Sequence, residues 1–253
     1  MPPESKLLEV EGITVRFGGL AAVSDVSFGV GLGTVHGLIG PNGSGKTSSF
    51  NAITGFYALA GGRVRFGGVD ISGWRPHRVA RAGIVRTFQT SVLQPERTVL
   101  ENVMLGAYCN TGSPLRRFFS AAAERRDRAV AEAALDAAGI PHLGNELIKN
   151  VPIGLRHATE MARALAARPR LLLLDEPSAG LNTAEAAELV RTIRQLCNAG
   201  TAVLIVEHNM KVIMEICDRI TVLDAGRSIA EGTPADIRRD PKVVACYLGT
   251  AAH

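Results

Sequence analysis

An eight-residue run from Gly40 to Thr47, Gly-Pro-Asn-Gly-Ser-Gly-Lys-Thr, constrains the fold of this 253-residue chain more than any other feature. Its glycines allow tight turns that point backbone amides at phosphate oxygens, and a helix that follows would add positive charge at its N-terminus. A plain glycine-rich turn is the alternative interpretation. The flanking residues favour a phosphate-binding loop, because a buried-strand pattern precedes the run and helical spacing follows it: Val35, Leu38 and Ile39, then Phe50, Ile53 and Phe56.

The loop predicts a binding site for the phosphates of a nucleoside triphosphate such as ATP. We expect the Lys46 ammonium to hold the β- and γ-phosphates and the Thr47 hydroxyl to ligate Mg²⁺. Backbone amides of the turn are expected to supply further contacts. The predicted phosphate-binding residues are Asn42, Gly43, Ser44, Gly45, Lys46 and Thr47.

Composition is that of a globular protein, with 46% hydrophobic residues, a formal net charge of +4 and a pI near 9.1. Short arginine clusters such as Arg125-Arg126 indicate solvated helix faces, and nucleic-acid binding is not expected. The four cysteines show no Cys-x-x-Cys spacing, so we expect reduced thiols in a cytosolic protein. No apolar run approaches the roughly twenty residues of a membrane span, so any membrane role is expected to be peripheral.

The hydrophobic pattern divides the chain into three stretches. Short strand-like runs separated by Gly-Gly pairs fill about the first ninety residues, and a helical pattern follows from about Thr98 to Leu165. Buried strands and helices then alternate, which implies a mainly parallel sheet covered on both faces. We predict one α/β domain with a phosphate-loop ATPase core of residues 1–90 and 166–253, which has an antiparallel β edge, and an inserted α-helical subdomain of residues 91–165.

Polar residues with catalytic potential follow several of the predicted strands. A four-leucine strand ends in Asp175, which we expect to hold Mg²⁺ through water, and Glu176, which we expect to orient or deprotonate the attacking water. His208 ends the next buried strand and could donate a hydrogen bond to the γ-phosphate, although it could also be a plain polar strand end. Gln89, which ends the run GIVRTFQ, is expected to contact both Mg²⁺ and the attacking water.

Four ordered motifs that span nearly the whole chain resemble the ATP-binding subunits of ABC transporters: GPNGSGKT, GIVRTFQ, ARALAARPRLLLLDEPSAGLN and LIVEHNM. Other segments, including RFGGLAAVSDVSF and AEGTPADIRRDPKVVACYLG, resemble the subunits of branched-chain amino acid importers. ATPases for urea or short-amide uptake and for lipopolysaccharide export are similar in the same segments. The resemblance implies a subunit that binds and hydrolyses ATP to power a membrane importer.

The resemblance also implies partners and further binding residues. Phe17 would stack on adenine, with a core phenylalanine as the alternative, and Ser48 would contact phosphate. Two ATPase chains would pair head to tail, bind two membrane-spanning permease subunits and depend indirectly on a substrate-binding protein. The expected location is therefore peripheral, on the cytoplasmic face of the inner (plasma) membrane.

The chain departs from the family's pattern at its signature loop. The usual Leu-Ser-Gly-Gly-Gln corresponds here to Val151-Pro152-Ile153-Gly154-Leu155, so the serine that meets the partner's γ-phosphate is absent. We expect backbone amides at a helix start to remain. The departure predicts pairing with a second, related ATPase rather than with an identical copy. Asn182 is a further departure, because many members have aspartate there.

Several alternatives stay open. The apolar residues after Gln89 either receive a cytoplasmic helix of the permease or pack the helical subdomain. A soluble ABC-type ATPase is disfavoured by the lack of long coiled coils or a second cassette. A small-molecule kinase would need an acceptor site, and a GTPase would need a guanine-reading motif such as Asn-Lys-x-Asp, which is absent. The apolar residues in question are Val92, Leu93, Val99 and Leu100.

Overall fold

The N-terminal strands form an antiparallel sheet of their own. The computed structural model describes residues 6–87, 93–108 and 121–248. Apolar and polar residues alternate along the first two strands, which suits a sheet with one face on the core. The strands are β1 (Lys6–Phe17), β2 (Leu20–Gly31), β4 (Gly61–Phe66) and β5 (Val69–Asp70). Their spatial order is β2-β1-β4-β5.

A six-stranded sheet carries the phosphate loop. Its strands are β3 (Val35–Ile39), β6 (Ile84–Arg86), β7 (Leu171–Asp175), β8 (Ala202–Val206), β9 (Arg219–Asp224) and β10 (Arg227–Gly232). The order is β10-β9-β3-β8-β7-β6, and every neighbouring pair is parallel except the β9–β10 hairpin. The predicted α/β class, with a mainly parallel sheet and an antiparallel edge, is confirmed.

Nine α-helices are found within the described ranges. They are α1 (Lys46–Ile53), α2 (Pro76–Arg81), α3 (Val99–Ala107), α4 (Ala121–Ala137), α5 (Ile153–Ala166), α6 (Thr183–Asn198), α7 (Met210–Ile216), α8 (Pro234–Arg239) and α9 (Pro241–Leu248). Two short 3₁₀ turns, Pro141–Leu143 and Ile148–Asn150, connect α4 to α5.

The central strands are buried because the six-stranded sheet is covered on both faces. Leu171 and Leu173 pack into the cluster shared with the antiparallel sheet and α1. Leu172 and Leu174 point the other way, into a cluster formed with helices of the C-terminal half. All four leucines are fully buried, and each contributes about 1.5–3 kcal/mol by leaving water. This strand therefore ends at a fixed place, which positions the acids that follow it.

A third cluster lies among α3, α4 and α5. Leu93, Val99 and Leu100 are buried in it, so the described structure favours the packing interpretation of these residues over a docking role. Val92 lies outside the described residues. The helix α3 begins at a capping box in which Thr98 and Glu101 bond each other's backbone amides. The division at residues 90 and 165 stays a prediction.

The helix after the phosphate loop is shorter than the sequence pattern predicts. Phe56 was expected on the helix after the loop, but α1 ends at Ile53 and Phe56 is 53% exposed. Gly55, at φ +78°, turns the chain there.

Cys197 and Cys217 are free and buried, and burial raises their thiol pKa values to about 11 and about 12. No helix in the described ranges is long and apolar enough to cross a membrane.

Candidate active site

The phosphate loop joins β3 to α1, and its glycines are required by its geometry. A Cβ atom on Gly40, which has φ +151°, would lie 2.1 Å from the carbonyl oxygen of Leu223. Gly43 and Gly45 have φ values of +78° and +101°, which strongly favour glycine. The strand–loop–helix context predicted from the sequence is therefore present.

Lys46 is folded back onto its own loop. Its Nζ donates hydrogen bonds to the carbonyl oxygens of Gly40 and Pro41, both at 2.8 Å. Burial lowers the pKa of the Lys46 ammonium, and the charges of Glu176 and Asp175 partly oppose that shift. The ammonium is thus held at the phosphate loop and within the field of both acids.

The other predicted loop residues differ in exposure. Asn42, Gly43 and Thr47 are exposed, Gly45 and Ser48 are intermediate, and Ser44 is buried. An exposed Thr47 at the first turn of α1 can offer its hydroxyl to a metal ion that also contacts a bound phosphate. The arrangement suits a ligand that covers the loop from the solvent side.

Asp175, at the end of β7, has the features expected of a magnesium ligand. Its Oδ2 accepts a hydrogen bond from Arg86 at 2.7 Å, whereas its Oδ1 is buried and has no hydrogen-bond partner among the described residues. Mg²⁺ needs few protein ligands when phosphate oxygens and water complete its shell. Thr47 and Asp175 fit that requirement. The described ranges contain no cluster of three or more His, Cys, Asp or Glu side chains that could hold a metal without phosphate.

Glu176 and His208 meet at the ends of two adjacent parallel strands. The Oε1 atom of Glu176 lies 2.7 Å from Nε2 of His208. Glu176 has φ +52°, in the left-handed region, and its amide donates to the carbonyl of Val206 at 2.8 Å. Its side chain is 27% exposed, so it can reach a water molecule. An uncommon backbone conformation, fixed by a bond to the next strand, directs this carboxylate toward the histidine.

Glu207, next to the histidine, was not predicted to have a role and has a structural one. Its buried carboxylate accepts from the amide of Ser178 at 2.6 Å, and from the amides of His208 at 3.0 Å and Asn209 at 3.2 Å. These bonds connect the loop after Glu176 to the loop that carries His208. Carboxylates that accept several backbone amides are strongly held. Glu207 therefore fixes the loop after Glu176 relative to the loop that carries His208.

Phe17, at the end of β1, is a surface residue. It is 48% exposed, and its ring meets that of Tyr57 edge-on, with centroids 4.9 Å apart. The structure excludes the alternative in which Phe17 is a core residue. A partly exposed ring backed by a second aromatic can stack on a planar base. Gln89 lies outside the described residues.

The segment that corresponds to the signature loop begins α5. Val151 is buried and Pro152 occupies the N-cap, so the expected helix start is confirmed. Ile153 is 75% exposed. Pro152 offers no side-chain cap to the first backbone amides of the helix.

Gly154 packs closely against the start of α6. A Cβ atom there would lie 2.8 Å from Oε1 of Glu185. Glu185 and Asn182 form a capping box, in which the Asn182 Oδ1 accepts from Ala184 and Glu185 amides at 2.9 and 3.0 Å. Asparagine caps helices as well as aspartate does, which accounts for the local fold at position 182. Gly154, Glu160 and Glu176 also line one cavity of about 530 Å³ between α5, α6 and the end of β7.

Comparison with known proteins decides the family. The model of the family described as "ABC transporter" matches residues 23–179, more than half of the chain. This chain belongs to the ABC transporter family. A second model, described as "Branched-chain amino acid ATP-binding cassette transporter", matches residues 227–253. Members of the family bind nucleotide and hydrolyse ATP, so this ABC transporter chain is an ATPase.

Relatives and solved structures agree with this assignment. The chain is 41% identical to the high-affinity branched-chain amino acid transport ATP-binding protein BraF of Pseudomonas aeruginosa, covering 97% of this chain and 98% of BraF. It is equally identical, with the same coverage, to LivG of Escherichia coli. A crystal structure of an ATP-binding cassette in its ADP conformation superposes with a TM-score of 0.86 at 35% identity, over 96% of this chain and 99% of that one.

Two residues of this ABC transporter ATPase that sequence reasoning missed are buried polar side chains. In the sequence, Glu207 is marked only by its position next to His208, and Arg86 only by its place in the run GIVRTFQ. A signal for Arg86 exists, because a strand between two apolar segments rarely carries a charge without a buried partner. Its partner, Asp175, is 89 residues away in sequence.

Proposed function

We propose that this chain is the ATP-hydrolysing subunit of an importer for branched-chain or related amino acids. Two relatives at 41% identity carry names for branched-chain amino acid transport, and residues 227–253 match a model of the same description. Because these matches include the C-terminal residues as well as the ATPase motifs, they favour this cargo over urea, short amides or lipopolysaccharide.

The observation that carries the catalytic proposal is the 2.7 Å pair of Glu176 and His208 beside the phosphate loop. Lys46 would exchange its bonds to loop carbonyls for bonds to the β- and γ-phosphates. Thr47 and Asp175 would hold Mg²⁺, which when bound neutralises phosphate charge. Glu176 would orient or deprotonate the attacking water, and His208 would hold Glu176 in place and contact the γ-phosphate.

The remaining predicted residues complete the proposed site. Phe17 would stack on adenine, and the amides of Asn42, Gly43, Ser44 and Gly45 would surround the phosphates. Ser48 would add a hydroxyl contact. Gln89 would contact Mg²⁺ and the water, as the sequence predicts.

We further propose that the chain works as part of a larger assembly. Two membrane-spanning permease subunits, a second ATPase subunit and, indirectly, a substrate-binding protein would be its partners. The location would be peripheral, on the cytoplasmic face of the inner membrane. The exposed Ile153 in place of a signature glycine supports a different, signature-bearing partner over an identical copy.

Replacement of Lys46 by alanine tests the ATP site. Loss of a charge-assisted bond to phosphate should weaken ATP binding by roughly 10- to 100-fold and abolish ATP-driven transport. A titration with a fluorescent ATP analogue measures the affinity, and Lys242→Ala, an exposed lysine on α9, is the matched control. An unchanged affinity in the Lys46→Ala variant would remove the central claim.

Cargo is tested separately. The ATPase, reconstituted in vesicles with the two permease subunits, the second ATPase and the binding protein encoded beside it, should import radiolabelled leucine. Unlabelled isoleucine and valine should compete, and urea or acetamide should not. Competition by urea alone would reassign the cargo and leave the ATPase assignment unaffected.

A further inference from the structure

Arg86, the last residue of β6, connects three elements of the active site. Its Nη2 donates to Oδ2 of Asp175 on β7 at 2.7 Å, and its Nη1 donates to Oδ1 of Asn51 on α1 at 2.6 Å. The guanidinium also lies over the ring of Phe50, 5.4 Å from its centroid. The arginine and aspartate side chains are 7% and 2% exposed, so this ion pair is buried.

The contact leaves one oxygen of Asp175 available in a defined direction. Arg86 occupies Oδ2, and Oδ1 is buried without a hydrogen-bond partner among the described residues. A buried carboxylate oxygen without a partner is costly unless a ligand completes it. Because the guanidinium is a rigid planar fork that is also bonded to Asn51, its hydrogen bond to Oδ2 restrains the rotation of the carboxylate.

Charge alone predicts that Arg86 weakens Mg²⁺ binding. A guanidinium beside a metal ligand repels a divalent cation, so removal of Arg86 would tighten Mg²⁺ binding if electrostatic repulsion dominated. Orientation acts in the other direction, because a carboxylate that no neighbour holds can rotate away from the metal. Partners that orient metal ligands typically change metal affinity by about 10- to 100-fold. Because the two effects have opposite signs, the direction of the change in metal affinity distinguishes them.

We propose that Arg86 is a positioning residue for the magnesium site, which orients Asp175 so that Oδ1 faces the metal. The inference rests on the proposed role of Asp175. It also gives the strand before Gln89 a direct connection to the metal ligand, through Arg86, and to the helix of the phosphate loop, through Asn51. A change in the position of β6 would therefore alter metal affinity.

The test measures metal binding without turnover. Mn²⁺ replaces Mg²⁺, ADP is bound to the full chain, and electron paramagnetic resonance counts free Mn²⁺. The variants are Arg86→Met, which removes charge and fork, Arg86→Lys, which keeps charge only, and Asn51→Leu, which removes the anchor. Arg219→Met, which breaks an exposed ion pair with Glu231, is the matched control, and Asp175→Asn is the reference.

Both Arg86 variants should bind Mn²⁺ at least tenfold more weakly, and Asn51→Leu about threefold more weakly, with ADP affinity in EDTA unchanged. Normal Mn²⁺ affinity in Arg86→Lys, tighter binding in Arg86→Met, or an equal loss of ADP affinity in EDTA would overturn the proposal. If the Arg86 variants do not fold, Asn51→Leu decides: unchanged Mn²⁺ affinity overturns it. No effect of Asp175→Asn would instead refute the proposed metal ligand.

Discussion

The phosphate-loop side and the signature side of this chain differ in how much of their chemistry is present. The phosphate-loop side, formed by Gly40–Thr47 with Asp175, Glu176 and His208, carries the polar groups that the proposed hydrolysis uses. The signature side, residues 151–155, has a proline at the helix N-cap and an exposed isoleucine, where the family usually has a serine and a glycine. This difference is what the proposed asymmetric pair would require, with this chain supplying the phosphate loop at one nucleotide and the second ATPase supplying the intact signature loop.

The largest expected effect concerns the phosphate-loop side. Glu176→Gln keeps the size of the side chain but removes the base, so hydrolysis should fall by about 10²- to 10⁴-fold while Mg-ATP binding persists. Steady-state phosphate release by the assembled transporter measures the rate, and Glu215→Gln, an exposed residue of α7, serves as control. Hydrolysis at the parent rate would show that another residue activates water.

The second effect concerns the signature side. The isolated chain should hydrolyse ATP slowly even when concentrated enough to dimerise, and addition of the partner ATPase should raise the rate by about 100-fold, the typical cost of one missing donor. Pro152→Ser/Ile153→Gly should recover part of that gain without the partner. Fast hydrolysis at the same rate by the isolated chain, by the chain with its partner and by the variant would contradict asymmetric pairing. It would leave the ATPase assignment unaffected.

The sequence predicts the phosphate-loop side because its signals are local. The glycine loop occupies eight residues, Gly40–Thr47, and the four-leucine strand with the acids that end it occupies six, Leu171–Glu176. The structure has the expected strand and helix around the loop and the expected strand before the acids. The antiparallel edge of the sheet and the start of α5 are also predicted from nearby residues. In each case a short run of consecutive residues was enough to predict the local structure.

Contacts between distant segments could not be predicted in the same way. Arg86 pairs with Asp175 across 89 residues, and Glu207 accepts from Ser178 across 29. Both contacts depend on which strands become neighbours in the sheet. The sequence around a single arginine or glutamate does not indicate which distant residue it will contact. The apolar residues near Leu93 were ambiguous for the same reason, because apolar side chains suit a core and a docking groove equally well.

Acid should destabilise the folded chain through His36, which lies on the strand that leads into the phosphate loop. Burial, with smaller effects from Arg219 and Lys6, lowers the pKa of His36 on β3 to about 3. The unfolded chain therefore binds a proton that the folded chain does not between about pH 6.5 and 3, so stability is full above pH 6.5 and falls with pH below it. At pH 5 the loss should be about 2 kcal/mol.

Urea unfolding from pH 7.5 to 4.5 measures this slope. His36→Gln, which can keep a hydrogen bond to Thr221, should flatten it. His157→Gln is the control on the signature side, because His157 in α5 is partly exposed. The same slope in parent and His36→Gln would place the acid sensitivity elsewhere.

The smallest expected effect asks why the signature side keeps its one glycine. In a plain helix start, Gly154→Ala should stabilise the chain by up to about 1 kcal/mol, because alanine favours helix. Here the added methyl would meet the Glu185 carboxylate, which is held by the Asn182 amide at 2.8 Å. Loss of that capping contact costs about 0.5–2 kcal/mol, so the net change should be a destabilisation of about 1 kcal/mol or less.

A double-mutant cycle isolates this contact. In a Glu185→Ala background nothing opposes the methyl, so Gly154→Ala should change from destabilising to stabilising, with a coupling on the order of 1 kcal/mol in urea unfolding. Such a sign change would mean that Gly154 is retained for packing against α6 within one chain. Additive effects would leave close approach to the partner's nucleotide as the reason for this glycine, and would make the signature side more complete than its sequence indicates.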